Sequence, residues 1–167
     1  AVGGLGVGHL ERPLQQQRVT ELVHSEARIQ RLNQLYAALS ETNKAIVHLT
    51  DRDALFKAVC RIAVERGGFA LAWIGMLDDA SGDVTPVAWH GIDANWLARV
   101  GPFNVRRRHT PIEIALAEDH IYLCNDLATD PALAPIHELL RHSGLTAAMS
   151  CPLQAGGRSV GALTLFA

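Results

Sequence analysis

The sequence predicts an α+β domain carried behind one long amphipathic helix, and three observations predict it. A run free of Gly and Pro from Leu14 to about Leu49 repeats apolar residues at heptad intervals. Two apolar, β-prone stretches, 69–90 and 146–166, each double back about a turn-forming centre. Capped helical stripes lie between them. Composition agrees: 167 residues allow one compact domain plus an extension, and 49% hydrophobic with 19% charged residues excludes disordered, collagenous and disulfide-scaffold classes.

Charge and cysteine content narrow the function classes. Fifteen Lys and Arg against seventeen Asp and Glu leave a net charge of −2, too balanced for the phosphate attraction that nucleic-acid binding needs; Arg106-Arg107-Arg108 is the lone basic cluster. Cys60, Cys124 and Cys151 are odd in number and form no C-x-x-C pair, so they read as reduced, mostly buried thiols in a cytosolic compartment. No apolar run approaches the ~18 residues of a membrane span, and no signal-peptide layout opens the chain. Any membrane link is expected outside this segment.

Residues 1–13, with Gly3, Gly4, Gly6 and Gly8 among small apolar residues, read as a flexible arm. Their glycines do not match the dinucleotide fingerprint, since no strand precedes them and no βαβ unit follows. Residues 14–50 form the amphipathic helix, with Leu22, Ile29, Tyr36 and Asn43 in one series and Leu32, Leu39 and Ile46 in the other. A polar Asn43 within such a seam fixes register at some cost in stability, and Glu21, Arg28, Arg31 and Glu41 keep the flanks wet. Two arrangements suit this stripe: a parallel two-stranded seam in a homodimer, or packing on the chain's own domain.

The domain itself is expected over 51–167. Thr50-Asp51 caps a helix whose stripe Leu55, Phe56, Val59, Cys60, Ile62 ends at Gly67-Gly68. Phe69–Leu77 and Val84–His90 form a hairpin about Asp78-Asp79-Ala80-Ser81-Gly82-Asp83. Ile92–Val100 reads as a short helix and Phe103–Arg107 as a short strand. Thr110-Pro111 starts a helix that delivers the chain to a strand at Ile121–Cys124; Asp130-Pro131 opens another helix, ending near Ser143-Gly144. Thr146–Leu153 and Ser159–Phe166 close the chain as a hairpin about Gly156-Gly157.

Four stretches carry a family resemblance: Phe69-Ala70-Leu71-Ala72-Trp73-Ile74-Gly75 before its hairpin, Asn125-Asp126-Leu127-Ala128-Thr129-Asp130-Pro131, Ser150-Cys151-Pro152-Leu153, and the run from Gly156 to Leu165. Over roughly 40–167 the chain resembles a GAF domain, of the type that precedes diguanylate cyclase, cyclic-di-GMP phosphodiesterase or histidine kinase domains in bacteria. The resemblance implies a PAS-like antiparallel sheet of five to six strands with flanking helices. It also implies a small-molecule cavity between one sheet face and the segment from His109 to Ser143. Two departures stand out. His109-Thr110-Pro111-Ile112-Glu113 replaces a glycine-rich helix start, which argues for a stiffer lid and against a phosphate cradle there. The family's helix after the last strand, which leads to an output domain, is not within this sequence.

The residues with chemistry are few. His137 and His142 stand five apart, one too many for H-E-x-x-H, and at 3.6 residues per turn lie roughly 140° apart on a helix, which argues against a shared metal. Pro135-Ile136-His137 and Gly144–Ser150 are similar to the pigment segment of phytochrome GAF domains, with Glu138 in place of the attachment cysteine; that likeness makes His137 a pocket candidate. The full set of expected pocket residues is Trp73, Trp89, Ile112, Asp126, His137, Met149 and Cys151. No motif for haem, bilin or cyclic nucleotide is present, and no cofactor is named. Three functions follow as expectations: a non-catalytic sensor that binds a small ligand and dimerises to control a C-terminal output domain; a thiol-dependent reductase of free methionine sulfoxide; or a purely structural dimerisation module.

Overall fold

The computed structural model describes residues 8–48, 51–91 and 94–167, with side chains over 13–44, 51–91 and 95–167. Residues 1–7 of the expected arm and the Ile46 side chain lie outside the described residues. Helices α1 (Gly8–His48) and α2 (Arg52–Glu65) lead into strands β1 (Leu71–Leu77) and β2 (Asp83–His90). Helix α3 (Ala94–Val100), β3 (Phe103–Asn104), α4 (Pro111–Glu118) and β4 (Tyr122–Cys124) follow. A 3-10 turn (Pro131–Ile136), α5 (His137–Ser143), β5 (Ala148–Ala155) and β6 (Arg158–Phe166) complete the chain. The predicted α+β class holds, with one antiparallel sheet of six strands ordered β3-β2-β1-β6-β5-β4.

Both faces of the sheet are covered, which explains why β1 reads as an unbroken apolar run instead of alternating. Leu71 and Trp73 of β1, Ala148 of β5, and Ala162 and Phe166 of β6 pack on the front face against α3, α4, the 3-10 turn and α5. Ala72 and Ile74 of β1, Ala88 of β2 and Leu165 of β6 pack on the back face around Cys60 of α2. Ser150 and Thr164, both buried, satisfy each other on neighbouring strands at 2.8 Å. At the sheet centre Gly75 marks a break in register against β2, where Ile74 faces Ala88 but Gly75 faces Pro86. A Cβ there would stand 2.6 Å from Val84 and 2.9 Å from Ile112, so only glycine lets the front layer close on β1.

Local chemistry sets the element ends. The Asp51 carboxylate accepts from Asp53 N–H and caps α2. Ala155 pairs with Arg158 across Gly156 and Gly157, at φ 58° and 78°, a two-residue loop that requires left-handed backbone at both positions. Thr110 is extended ahead of Pro111, and Glu113, fully buried, turns back to accept from the amides of Asn104 (2.8 Å), His109 (2.8 Å) and Thr110 (3.2 Å). The anion position at the start of α4 is thus filled by the protein's own carboxylate.

Several boundaries shift by one or two residues, β1 starting at Leu71 and β5 spanning Ala148–Ala155, and three differences have a larger or identifiable cause. Helix α1 begins at Gly8, ahead of Leu14, with Pro13 inside it. The strand expected over Phe103–Arg107 stops at Asn104, because the Asn104 side chain accepts from Arg106 N–H at 3.0 Å and curls the chain out of the ladder. The single helix expected over 130–143 is a 3-10 turn followed by α5, since Pro135 has no N–H for an α-helical bond within the first turns.

Candidate functional site

Two features of the surface stand out, a groove on the β2–α3 edge and a long apolar stripe on α1. The groove encloses about 640 Å³ between β2, α3 and the segment 101–103, within the range of small-molecule pockets. Beyond Val84, β2 has no strand partner on the β3 side among the described residues, and Pro86, which cannot donate to a ladder, lies beyond the last pair. Trp89, 40% exposed, lines the groove with Pro86, Leu97 and Pro102. Phe103 lines it too and stacks on Trp73 at 4.7 Å between ring centroids, tying the groove to the front core. Asp83 is its one carboxylate, held below the usual range by hydrogen bonds from Asn104 and Ser81.

The other expected pocket residues do not gather there. Trp73 and Ile112 are core side chains, and Ile112, Leu127, Leu133 and Leu140, each at most 1% exposed, pack the layer where the cavity between the sheet and His109–Ser143 was expected. The Trp73 indole N–H is buried without an acceptor among the described residues. Asp126 is exposed and accepts from Ala128 N–H at 3.2 Å, a turn role. His137 is half-buried, its Nε2 2.7 Å from the Asp130 carbonyl, and His142 Nδ1 is 2.7 Å from the Glu138 carbonyl, so each ring is pinned to main chain. Met149 and Cys151 point to the back face, opposite to Trp73: β5 alternates, and Ala148 and Ser150 take the front positions. Met149 instead lines a crevice of about 290 Å³ with Arg31, Leu35, Phe69 and Leu123. Of the groove lining only Trp89 was expected; Asp83, Pro86, Leu97, Pro102 and Phe103 are among the residues that sequence reasoning missed, and the prolines, beside strand signals, were the available hint of an open edge.

The three thiols share one electrostatic character. Burial pushes Cys60 up to about 12 and raises Cys124 and Cys151 above the ordinary thiol range. Beside Cys124, burial also raises Tyr122, whose hydroxyl donates to Asp130 and keeps that carboxylate low. Among the described residues no three His, Cys, Asp or Glu side chains gather as a metal set.

The stripe on α1 is carried away from the domain. Arg31 donates to the Gly67 carbonyl and lies 4.9 Å from the Phe69 ring centroid, and Glu41 pairs with Arg66 at 3.0 Å. These contacts, with half-buried Ala38 and Thr42, define the inner side of the helix. At about 100° per residue, Ile29, Leu32, Tyr36, Leu39 and Asn43 fall on an outer side, roughly 80° to 160° round the helix from Arg31. Leu22, Ile29, Leu32, Tyr36 and Leu39 are between 55% and 74% exposed. Packing of the stripe on its own domain is therefore not the arrangement found. No described helix is long and apolar enough to cross a membrane.

A six-stranded antiparallel sheet between α2 on one face and a mixed helical layer on the other is the architecture of GAF domains. The GAF domain family matches residues 50–167, and the chain belongs to it. Among solved structures it is similar to the free methionine-R-sulfoxide reductase from Neisseria meningitidis in complex with its substrate, at 14% identity and TM-score 0.65, over 82% of this chain and 74% of that one. It is also similar to the nlh2 GAF domain of A. aeolicus in an inactive state, at 15% identity and TM-score 0.62, over 81% and 80%. A mutated NreA protein from Staphylococcus aureus, altered in its nitrate binding site, matches at 17% identity and TM-score 0.56, over 73% and 86%. At these identities the likeness shows the fold alone. A search of curated proteins finds no match.

Proposed function

We propose that this chain is a non-catalytic sensory GAF domain, working in the cytosol, that binds a small ligand, pairs with a second copy through α1 and so controls an attached output domain. The output would be of the cyclic-di-GMP or histidine-kinase kind implied by the sequence resemblance. The observation that carries the reading is the apolar stripe on the outer side of α1, because a contiguous exposed apolar surface of this length marks an interaction face. Its heptad spacing suits a parallel helical seam.

Strand β2 supplies a physical link between groove and seam. Trp89 lines the groove, while Ala88 and Val87 pack on the back face with Cys60 of α2, and α2 packs on α1. A ligand biases two arrangements of α1 only by the difference in its affinity for them, typically ~1–3 kcal/mol, which a seam interrupted by Asn43 can register. The thiols support a non-catalytic reading, since a reductase needs an accessible thiolate of low pKa and all three here are shifted upward. The groove favours a ligand-binding module over a purely structural one.

Asn43→Leu tests the seam. Replacing the polar break by an apolar side chain is expected to tighten dimerisation by about tenfold and blunt ligand response in the intact protein. Sedimentation equilibrium reads the change; an unaltered dissociation constant contradicts the assigned seam.

A further inference from the structure

The groove is apolar along most of its wall, yet its rim carries cations. Val84, Pro86, Trp89, Leu97, Pro102 and Phe103 supply the apolar wall. The Arg107 guanidinium donates to the carbonyl of Pro102, which holds its charge at the mouth. Arg106 is anchored in the same loop through its main-chain N–H to Asn104 Oδ1, and its charge acts on Asp83. Asp83 is the one carboxylate of the groove lining; it accepts from Asn104 Nδ2 at 2.8 Å and offsets part of the charge of Arg106, with Arg107 turned to Pro102 instead. Among the described residues Arg106, Arg107 and Arg108 make no ion pair. The loop is not free to disperse these charges, since Glu113 ties down both its ends through Asn104 N–H and His109 N–H.

We propose that the groove takes a soluble amphipathic anion: an aromatic or aliphatic body lying on Trp89 and Pro86, with a carboxylate, sulfonate or phosphate held at Arg106 and Arg107. This rests on the reading of the domain as a ligand-binding module and names the chemical class of its ligand. Apolar walls take the body out of water, and a guanidinium without a carboxylate partner gives the head group a charge-assisted hydrogen bond. A polar anion lacking the body gains only the second contribution, and a neutral aromatic only the first.

Two dyes separate the contributions: 8-anilinonaphthalene-1-sulfonate and N-phenyl-1-naphthylamine share an arylamine body, and only the first is anionic. Titrated into the whole chain at low salt, the sulfonate is expected to bind about tenfold tighter than the neutral dye. The double variant Arg106→Gln, Arg107→Gln closes that gap and leaves the neutral dye unchanged, and Trp89→Ala weakens both; circular dichroism checks that each variant folds. Equal affinity for the two dyes, or a gap that survives removal of both arginines, overturns the anion assignment alone if Trp89→Ala still weakens binding. If neither dye responds to Trp89→Ala, the groove is not a ligand site and the ligand-binding reading falls with it. Cosedimentation with phosphatidylglycerol vesicles in the absence of dye binding also overturns the proposal, assigning the arginines to a membrane surface.

Discussion

Glu113→Ala is expected to lower the stability of the domain by about 3–5 kcal/mol, because an amide left without its acceptor costs about 1–3 kcal/mol when buried, and of the three that lose theirs the Thr110 N–H is buried and those of Asn104 and His109 are partly buried. The carboxylate is fully buried and accepts from Asn104, His109 and Thr110, joining the end of β3, the arginine loop and the first turn of α4. Alanine leaves no acceptor and opens a space where the fully buried carboxylate stood. Glu113→Gln keeps one carbonyl oxygen and is expected to lose less than half as much. Urea unfolding of the three proteins checks the order; a loss under about 1 kcal/mol for alanine would show that solvent replaces the carboxylate. Because the same contacts hold the arginine loop beside the groove, the alanine variant is also expected to lose discrimination between anionic and neutral ligands.

The second large effect lies on α1. Placing charge at two successive positions of one heptad series of the stripe, as Leu32→Glu with Leu39→Glu, is expected to make the protein monomeric, with association weakened by at least about 10³-fold. Each copy contributes both leucines, so four apolar side chains leave the seam and four carboxylates meet across it. In the monomer the same side chains are exposed, at 57% and 59%, and face away from the domain, so the fold is expected to keep its unfolding midpoint. A loss of stability equal to the loss of association would mean that α1 folds onto its own domain.

Much of this was legible in the residues. Asp51 and Gly144 fixed helix ends correctly, and the Gly156-Gly157 pair located the last turn, because caps and tight turns depend on a few neighbouring atoms. The stripe on α1 was equally plain, though its outward direction was not, since only the contacts of Arg31 and Glu41 reveal which side meets the domain. The pocket candidates on β5 show where local reasoning failed. Met149 and Cys151 are the large, soft residues of that strand, and a cavity wall would ordinarily use them, but both faces of this sheet are buried and Ala148 and Ser150 take the front. Size and polarity do not reveal strand parity when both faces are apolar and largely covered. Nor did the helix start at Thr110-Pro111 disclose that Glu113 would reach back to Asn104, nine residues away. The groove needed three segments, β2, α3 and 101–103, brought together by the β2–β3 pairing at Asp83 and Val84.

The central claim is that two copies meet in parallel along the outer side of α1. Single spin labels at Val19→Cys and at Asn33→Cys, with Cys151→Ser to remove the half-buried thiol, test it most directly. The two positions stand about 21 Å apart along the helix at 1.5 Å per residue, and both flank the stripe. A parallel, in-register seam with axes ~8–10 Å apart predicts inter-label distances of roughly 10–25 Å at both positions. A short distance at one position with a distance beyond about 40 Å at the other, or no dipolar coupling at either, would contradict the account.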